Sequence, residues 1–325
     1  MNIVELPAFI DMHVHFREPG YEYKETIETG LNAALKGGFC AVCAMPNTNP
    51  VCDNIETLNY ILEKSKGHKC KLYPVCAVTK NLNTNELVDF EALANAGAVA
   101  FSNDGLPILN HSVFYNALKS EKLILSHLED ETREAIWQIQ IFEELVREGF
   151  SPRLHFCHIS KKSTLEAIKA AKTRGLKITC ESAPHYFTFT KQNVTDTGVF
   201  KMNPPLGEEY DRLAVIEAIN EGTIDVISTD HAPHGNDEKT LPYDKSPNGI
   251  TGLETSFSLT YAQFGLQKTL DLMSNNPAKI LGIEIKQKNK FDLDKTYTVH
   301  GAEFASKCKV TPYENMILKG VKIDD

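Results

Sequence analysis

The sequence lacks any long hydrophobic run, and no stretch approaches the roughly 20 apolar residues that a membrane-spanning helix needs. The opening stretch, MNIVELPAFIDMHVH, also lacks the basic leader and long apolar core of a signal peptide. Basic residues are in deficit, because 34 Lys and Arg stand against 43 Asp and Glu and give a formal net charge of -9. Proteins that grip nucleic acid or an anionic membrane need clustered Lys and Arg. We therefore expect neither partner, and a small-molecule ligand instead.

The sequence also lacks the paired cysteine spacing of a zinc module. Its eight cysteines are scattered through apolar runs, as expected of reduced thiols packed in a core. Cys40 and Cys43 form a single C-x-x-C within a strand-like segment, so core packing is favoured there over a metal or redox role. Reduced thiols together with the missing leader predict a cytoplasmic protein.

Short β-rich runs alternate with amphipathic helical stretches along most of the 325 residues. The strand candidates span residues 8–15, 39–46, 71–78, 98–103, 122–127, 154–159, 177–182 and 224–229. Eight such repeats joined by right-handed crossovers predict an α/β fold, a (β/α)8 TIM barrel. A doubly wound sheet is the competing architecture, but it would need a Gly-rich phosphate loop where this chain has HVHFREPG.

The composition and periodicity of the sequence change after Pro277, where helical periodicity is replaced by short, Lys-rich, β-like runs. We predict a barrel domain over residues 1–279 and a small, reduced β-rich appendage at the C-terminus, over residues 280–325.

Polar side chains stand at the C-terminal ends of five predicted strands, where barrels of this kind place catalytic groups. The six residues are His13, His15, Asp104, His127, His158 and Asp230. Each alone has an ordinary structural role, but together they offer nitrogen and oxygen ligands without thiolates. Such a set fits Zn²⁺, with Mn²⁺ or Co²⁺ as alternatives. Four imidazoles and two carboxylates exceed the needs of one tetrahedral ion and predict two ions sharing a bridging carboxylate.

Several longer motifs carry a family resemblance, namely FIDMHVHFREPG, MPNTNP, KMNPPL, STDHAPH and GITGLET. They resemble the motifs of the dihydroorotase family, in the cyclic amidohydrolase branch of the amidohydrolase superfamily, over residues 8–280. The resemblance implies that the four histidines bind metal and that Asp104 bridges the ions, where related hydantoinases use a carboxylated lysine. It further implies that Asp230 both touches metal and shuttles the proton.

The implied reaction is the reversible, metal-assisted hydrolysis of L-dihydroorotate to N-carbamoyl-L-aspartate in pyrimidine biosynthesis. The resemblance implies that Arg17, Asn47 and His234 hold the exocyclic carboxylate and that Asn203 holds a polar group of the ring. Arg17 could instead form a surface ion pair. Asn47 and Asn203, which both stand next to proline, could instead only stabilise turns.

Two other functions stay open. A hydantoinase or allantoinase is disfavoured by Arg17 and the two asparagines, because its substrates lack this carboxylate. A non-catalytic homologue that serves as a structural partner of aspartate carbamoyltransferase would typically have lost metal ligands that this chain keeps.

Other residues near the six were also weighed. His185 is an alternative metal contact, whereas His155 and Cys157 are expected to face away from the site because of their strand positions.

The chain resembles a short form of the family, because only about seven residues precede the first predicted strand where relatives have several strands. We therefore expect the C-terminal appendage to lack pairing partners. Residues 235–252 are polar and aperiodic, which predicts a mobile loop beside the site. Both features lead us to expect a homodimer or, by the resemblance, a complex with aspartate carbamoyltransferase.

Overall fold

Two β-sheets organise the chain in the computed structural model, which describes residues 2–323. The strands are β1 (Ile3–Pro7), β2 (Phe9–Val14), β3 (Phe39–Ala44), β4 (Lys71–Cys76), β5 (Ala100–Phe101), β6 (Leu123–Ser126), β7 (Arg153–Phe156), β8 (Thr179–Ser182), β9 (Val226–Ile227), β10 (Lys288–Thr298) and β11 (Ile317–Ile323).

The helices alternate with these strands along most of the chain. They are α1 (Ile27–Lys36), α2 (Ile55–Ser65), α3 (Phe90–Ala96), α4 (His111–Lys119), α5 (Glu131–Arg147), α6 (Lys162–Thr173), α7 (Pro184–Thr188), α8 (Glu209–Glu221), α9 (Asn236–Thr240), α10 (Ser256–Leu270) and α11 (Asn276–Leu281). Within residues 2–323, none of them combines the length and apolar character needed to cross a bilayer.

Strands β2 to β9 lie side by side in chain order and run parallel. A parallel bridge between Val14 and His231 joins the first of these strands to the segment that follows the last, so the sheet closes almost completely. Each of the eight predicted strands overlaps one observed strand, and the predicted (β/α)8 barrel is confirmed.

Alternate side chains of the barrel strands serve two separate cores. On β3, Phe39 and Val42 pack outward against the helices, whereas Cys43 joins Met12 and Val75 inside the barrel. The eight cysteines are free thiols, and seven of them are buried. The thiol of Cys43 therefore packs in the barrel interior.

The helices bury the faces that their sequence periodicity defines. In α1, Thr26 caps the first turn, and its hydroxyl accepts from the backbone N–H of Thr29. In α6, Leu165, Ile168 and Ala171 form the buried face that packs on the barrel. These helices press the strands together from outside and so fix the positions of the strand ends.

The second sheet is antiparallel and combines both ends of the chain. Strand β1 pairs with β10 from Ile3 opposite Asp292 to Pro7 opposite Lys288, and β10 pairs in turn with β11. The expectation that the C-terminal appendage lacks pairing partners is therefore wrong. The residues ahead of the barrel are few, but five of them suffice for a ladder along one edge of β10. The division of the chain after residue 279 stays a prediction.

Residues 235–252, expected to be mobile, have a defined path that includes α9. Lys239 is only 1% exposed, and its ammonium donates to the carbonyl oxygens of Lys201 at 3.0 Å and Pro247 at 3.1 Å. The backbone N–H of Tyr243 also donates to the carbonyl of Asp196 at 2.8 Å. A buried ammonium rather than an apolar face anchors this segment, which is why its sequence shows no periodicity.

Candidate metal centre

Six polar side chains meet at the mouth of the barrel, around a cavity of about 420 Å³. His13 lies near the end of β2 and His15 directly follows it, whereas the other four follow β5, β6, β7 and β9. All six are buried: His13, His15, Asp104, His127, His158 and Asp230. The structure thus brings together every residue that the sequence places in the metal set, because the C-terminal ends of parallel strands share one rim.

Asp104 is the most connected of these residues. Its Oδ2 atom lies 3.3 Å from Nε2 of His13, 3.1 Å from Nε2 of His15 and 3.4 Å from Nε2 of His127. Asp230 contacts two of these imidazoles, with Oδ1 3.4 Å from Nε2 of His13 and 3.2 Å from Nε2 of His15. One carboxylate oxygen that faces three imidazoles has the position that a bridging ligand needs.

His158 completes a second group of donor atoms. Its ring centroid lies 4.9 Å from that of His127 and 5.3 Å from that of His13. The ligand atoms of these three histidines lie within 4.8 Å of one another, as do those of His13, His15 and Asp104. The cluster therefore contains two overlapping donor sets, which is the arrangement that two neighbouring ions require.

Hydrogen bonds on the far side of three imidazoles fix their orientation. Nδ1 of His13 donates to Glu181 at 2.8 Å, and Nδ1 of His15 donates to Oδ1 of Asn47 at 2.9 Å. The hydroxyl of Ser102 donates to the carbonyl of Leu125, so it accepts from Nδ1 of His127 at 2.9 Å. Each bond leaves the Nε2 lone pair directed at the cluster, as in metal-binding histidines.

The protonation states of the cluster also suit a cation. Burial lowers the pKa of His127 to about 3, and burial next to His13 lowers that of His158. Burial opposes ionisation of the two aspartates, yet the neighbouring imidazoles hold the pKa of Asp104 and of Asp230 below its ordinary value.

Burial opposes a charge on His13 and His15 as well, yet Asp230 and Asp104 raise the pKa of both rings. The two carboxylates thus attract positive charge to the cluster, and a divalent metal can supply that charge when the imidazoles lose their protons. The residues present therefore fit a metal centre.

Nε2 of His127 lies only 3.3 Å from Nε2 of His13. Two imidazole lone pairs at this distance repel each other unless a proton or another cation lies between them. A divalent cation can accept the lone pairs of both nitrogens at once and so removes this repulsion.

Backbone strain is concentrated at the same place. His158, Asp230 and Arg17 have φ angles of 36°, 47° and 63°, in the left-handed region that side chains other than glycine rarely adopt. Such conformations cost of order 1–3 kcal/mol each and persist only where the surroundings impose them. At His158 and Asp230, the turn aims the side chain back over the barrel mouth.

The four residues expected to bind substrate lie in or beside the same cavity. Arg17, Asn47 and Asn203 line it. His234 lies behind Arg17, with its Nε2 atom 2.7 Å from the carbonyl oxygen of Asn248. Asn248 also lines the cavity.

The expected orientation of two neighbours of His158 is wrong. His155 and Cys157 were placed on the outer face of their strand, but both face the barrel interior. Nε2 of His155 lies 3.2 Å from Glu181, and the thiol of Cys157 lies with the donor atoms of His13 and Glu181. The strand ends at Phe156, so the left-handed turn at His158 interrupts the alternation from which their orientation was inferred.

His185, the alternative metal contact, lies outside the donor groups found among residues 2–323. It is fully buried against Tyr186, with ring centroids 4.1 Å apart. Burial lowers the pKa of His185 to about 4, so it is a neutral packing residue beside the cluster.

Two buried carboxylates beneath the cluster were missed by the sequence analysis. Glu181 accepts from His13, His155 and Ser228. Asp11 accepts from the backbone N–H of His13 and from both the backbone and the hydroxyl of Thr229, which ties β2 to the segment carrying Asp230. The sequence does hold a signal for both residues, because each is a carboxylate within an apolar predicted strand. A buried carboxylate at such a position needs a partner.

A second cavity, of about 660 Å³, lies at the opposite end of the barrel. Its lining includes Arg153 and Thr179 at the beginnings of their strands and contains none of the six clustered residues. The clustered histidines and aspartates therefore lie at the smaller cavity, at the C-terminal ends of the strands.

Comparison with known proteins agrees with this geometry. A family model described as "Dihydro-orotase-like" matches residues 3–163. The chain is 39% identical to the dihydroorotase of Desulforapulum autotrophicum, covering 97% of this chain and 83% of that protein. It is 37% identical to the dihydroorotase of Listeria innocua, covering 94% and 82% of the two chains.

Among solved structures, the L-hydantoinase of Arthrobacter aurescens superposes with a TM-score of 0.84 at 20% identity, covering 98% of this chain and 83% of that chain. The D-hydantoinase of a Thermus species gives a TM-score of 0.80 at 21% identity, covering 99% and 83%. At this identity the solved structures establish a shared fold. The dihydroorotase relatives extend the match to sequence over nearly the whole chain, and the chain therefore belongs to the dihydroorotase-like family of cyclic amidohydrolases.

Proposed function

We propose that this chain is a metal-dependent dihydroorotase that reversibly hydrolyses L-dihydroorotate to N-carbamoyl-L-aspartate in pyrimidine biosynthesis. The observation that carries the proposal is the cluster of four imidazoles and two carboxylates beside a pocket that contains Arg17. Identity of 36–39% to dihydroorotases along most of the chain supports it. The direct test is an ultraviolet assay on dihydroorotate, combined with metal analysis of the purified protein.

We assign two Zn²⁺ ions to the cluster, with Mn²⁺ or Co²⁺ as alternatives. The ligands in this proposal are His13, His15, Asp104, His127, His158 and Asp230. Asp104 would bridge the ions, because its Oδ2 atom lies within 3.4 Å of three imidazole nitrogens. Metal ions bound there would lower the pKa of water and polarise the ring carbonyl that is attacked.

Asp230 is the proton carrier in this proposal. It is 6% exposed and lines the cavity, so it can reach both the attacking water and the ring nitrogen. It accepts the proton that the water loses on attack and delivers it to the ring nitrogen as the amide bond breaks. The reverse reaction uses the same group in the opposite order.

Fixed hydrogen-bond donors would recognise the exocyclic carboxylate. Oδ1 of Asn47 accepts from His15, so the amide N–H groups of Asn47 stay available as donors. Nε of Arg17 donates to the carbonyl of Pro233 at 3.1 Å, which anchors the guanidinium while its terminal nitrogens stay close to the cavity. We assign Asn203 to a polar group of the ring. A pocket with these donors suits an anionic substrate.

The two alternatives have less support. A hydantoinase-like activity rests on solved structures that are 16–21% identical and share only the fold. It also leaves Arg17 without an anionic ligand. A non-catalytic role is disfavoured because the complete donor cluster is present, and a purely structural protein has no need of it.

We place the enzyme in the cytoplasm and propose that it forms a homodimer or, by family resemblance, a complex with aspartate carbamoyltransferase. Because β1 pairs with β10, unpaired strands no longer support the dimer, and the resemblance is its remaining support. Light scattering at assay concentrations should give twice the mass of the 36.3 kDa chain. A monomer whose specific activity survives serial dilution would contradict the dimer.

Asp230→Asn should retain the fold and most of the metal but lose several orders of magnitude in kcat. The amide keeps an oxygen ligand, yet it can neither take nor return a proton. Parallel measurement of metal content and kcat for variant and wild type checks this. Retention of more than about a tenth of the wild-type kcat would remove Asp230 from the proton path.

Asp104→Ala should lose metal and activity together, because the oxygen that faces three imidazoles is gone. Elemental analysis after dialysis measures the metal retained per chain. The same substitution at the exposed Asp244 is the matched control and should leave the metal content unchanged. An Asp104→Ala protein with full metal content and activity would show that another group bridges the ions.

Arg17→Met should lower kcat/KM for dihydroorotate by roughly 10²- to 10⁴-fold, because a desolvated carboxylate without its charged partner costs about 3–5 kcal/mol. Metal content should not change. Substitution of the exposed Arg147 by Met is the control for loss of one positive charge. If activity on a ring analogue without the carboxylate falls equally, Arg17 has a structural role instead.

A further inference from the structure

His234 contacts three groups whose hydrogen-bonding roles are unequal. Its Nδ1 atom lies 3.0 Å from Nζ of Lys24, and its Nε2 atom lies 2.7 Å from the carbonyl oxygen of Asn248. Nη2 of Arg17 lies 3.2 Å from the same Nε2. The ring is 6% exposed, so these groups rather than water determine where its proton lies.

The chemistry of Lys24 fixes the tautomer of His234. An ammonium donates hydrogen bonds and has no lone pair to accept one, so Nδ1 of His234 must be the acceptor. The single ring proton of the neutral imidazole then lies on Nε2, where it is donated to the carbonyl of Asn248. Burial, together with the charges of Arg17 and Lys24, lowers the pKa of His234 to about 2, in accord with a neutral ring.

This tautomer has a consequence for Arg17. Because Nε2 of His234 carries a hydrogen, it cannot accept from Nη2 of Arg17, in spite of their separation. The terminal N–H groups of the guanidinium are therefore not held by the ring and stay available to an anion in the cavity. The N–H of His234 is taken by the Asn248 carbonyl, so the terminal N–H groups of Arg17 are the donors that this pair offers to the cavity.

A competing acceptor for the ring proton lies close to Nδ1 of His234. Oε2 of Glu238 lies 3.7 Å from Nδ1 of His234, and Oε1 of Glu238 lies 3.6 Å from Nζ of Lys24. Without the ammonium, Nδ1 could carry the proton and donate it to Glu238. The Nε2 lone pair would then repel the Asn248 carbonyl and could accept from Nη2 of Arg17, which would occupy an N–H group that an anion needs.

Lys24 itself is held away from the substrate cavity. Its ammonium lies 5.7 Å from the ring centroid of Tyr21 and 5.4 Å from that of Tyr23, and the side chain is 15% exposed. It is not among the residues that line the cavity. Lys24 therefore acts on the cavity through its contact with His234, in addition to the electric field of its charge.

We propose that Lys24 is a positioning residue for carboxylate recognition, because its ammonium holds His234 in the Nε2–H tautomer and so keeps the terminal N–H groups of Arg17 available to an anion in the cavity. The carboxylate as ligand rests on the proposed function. The tautomer rests on the contacts of His234 alone.

The first experiment reads the tautomer without any substrate. Two-bond ¹H–¹⁵N correlation spectra of the zinc-loaded protein separate the ring nitrogens of its 11 histidines, and His234→Gln assigns the signal. We expect Nδ1 without hydrogen and Nε2 with hydrogen in the wild type, and a switch or a mixture in Lys24→Met. An Nδ1–H signal in the wild type, or an unchanged tautomer in Lys24→Met, would overturn the proposal.

The second experiment separates positioning from general structural damage. Lys24→Met should raise KM for dihydroorotate about 10- to 100-fold while kcat stays within about threefold and metal content is unchanged. Lys24→Arg, which also only donates, should restore most of the affinity. Adding Glu238→Gln to Lys24→Met should recover part of it, because the competing acceptor is weakened. Lys66→Met, at a 73% exposed lysine, is the control for lost charge and should match the wild type.

The outcomes distinguish the two proposals. If the wild type does not turn over dihydroorotate, the proposed function fails, and the spectra still decide the role of Lys24. If Lys24→Met lowers kcat as much as it raises KM, or if Lys24→Arg gives no recovery, Lys24 supports the fold and the positioning role is wrong.

Discussion

The dependence of buried carboxylates on a cation shapes this protein more than any other interaction. Asp104 and Asp230 are both nearly inaccessible to water, and each faces the imidazoles of His13 and His15 within 3.4 Å. Two ionised groups in so small a volume are tolerated only when positive charge lies between them. The barrel makes this arrangement possible, since the ends of its parallel strands bring distant parts of the chain to one rim. A metal centre both requires and stabilises such a rim.

Hydrogen bonds around the cluster determine how precisely its side chains are oriented. Glu181, Ser102 and Asn47 each accept from the Nδ1 atom of one clustered histidine and so direct its Nε2 atom to the centre. Asp11 holds the backbone of His13 and Thr229 together, next to the strained turn at Asp230. Strain at the rim is thus opposed by buried carboxylates in the barrel interior. The buried carboxylates of the interior are therefore part of the site.

The sequence predicts some features of this structure and not others, and the difference has physical causes. The strands and the six clustered residues could be predicted, because period-two patterning locates strands and parallel strands end at one rim. The inward orientation of His155 could not, because the turn at His158 breaks the alternation on which a strand pattern depends. The partner of β10 was missed because it lies nearly 290 residues away in the chain. Lys239 was missed because a buried ammonium leaves no periodic signal.

The orientation of the Asn47 amide depends on the proton that His15 carries on Nδ1. The oxygen of Asn47 accepts from this N–H, so the amide N–H groups of Asn47 stay available in the cavity that it lines. The Nε2 atom of His15 lies 3.1 Å from Oδ2 of Asp104, and this carboxylate raises the pKa of His15 although burial opposes a charge there. Positive charge at Nε2, supplied either by a proton or by a metal ion, therefore leaves the proton on Nδ1 and the Asn47 amide in place. In the proposed function, metal binding and carboxylate recognition would thus be linked through His15, and Lys24 would act through His234 in a comparable way.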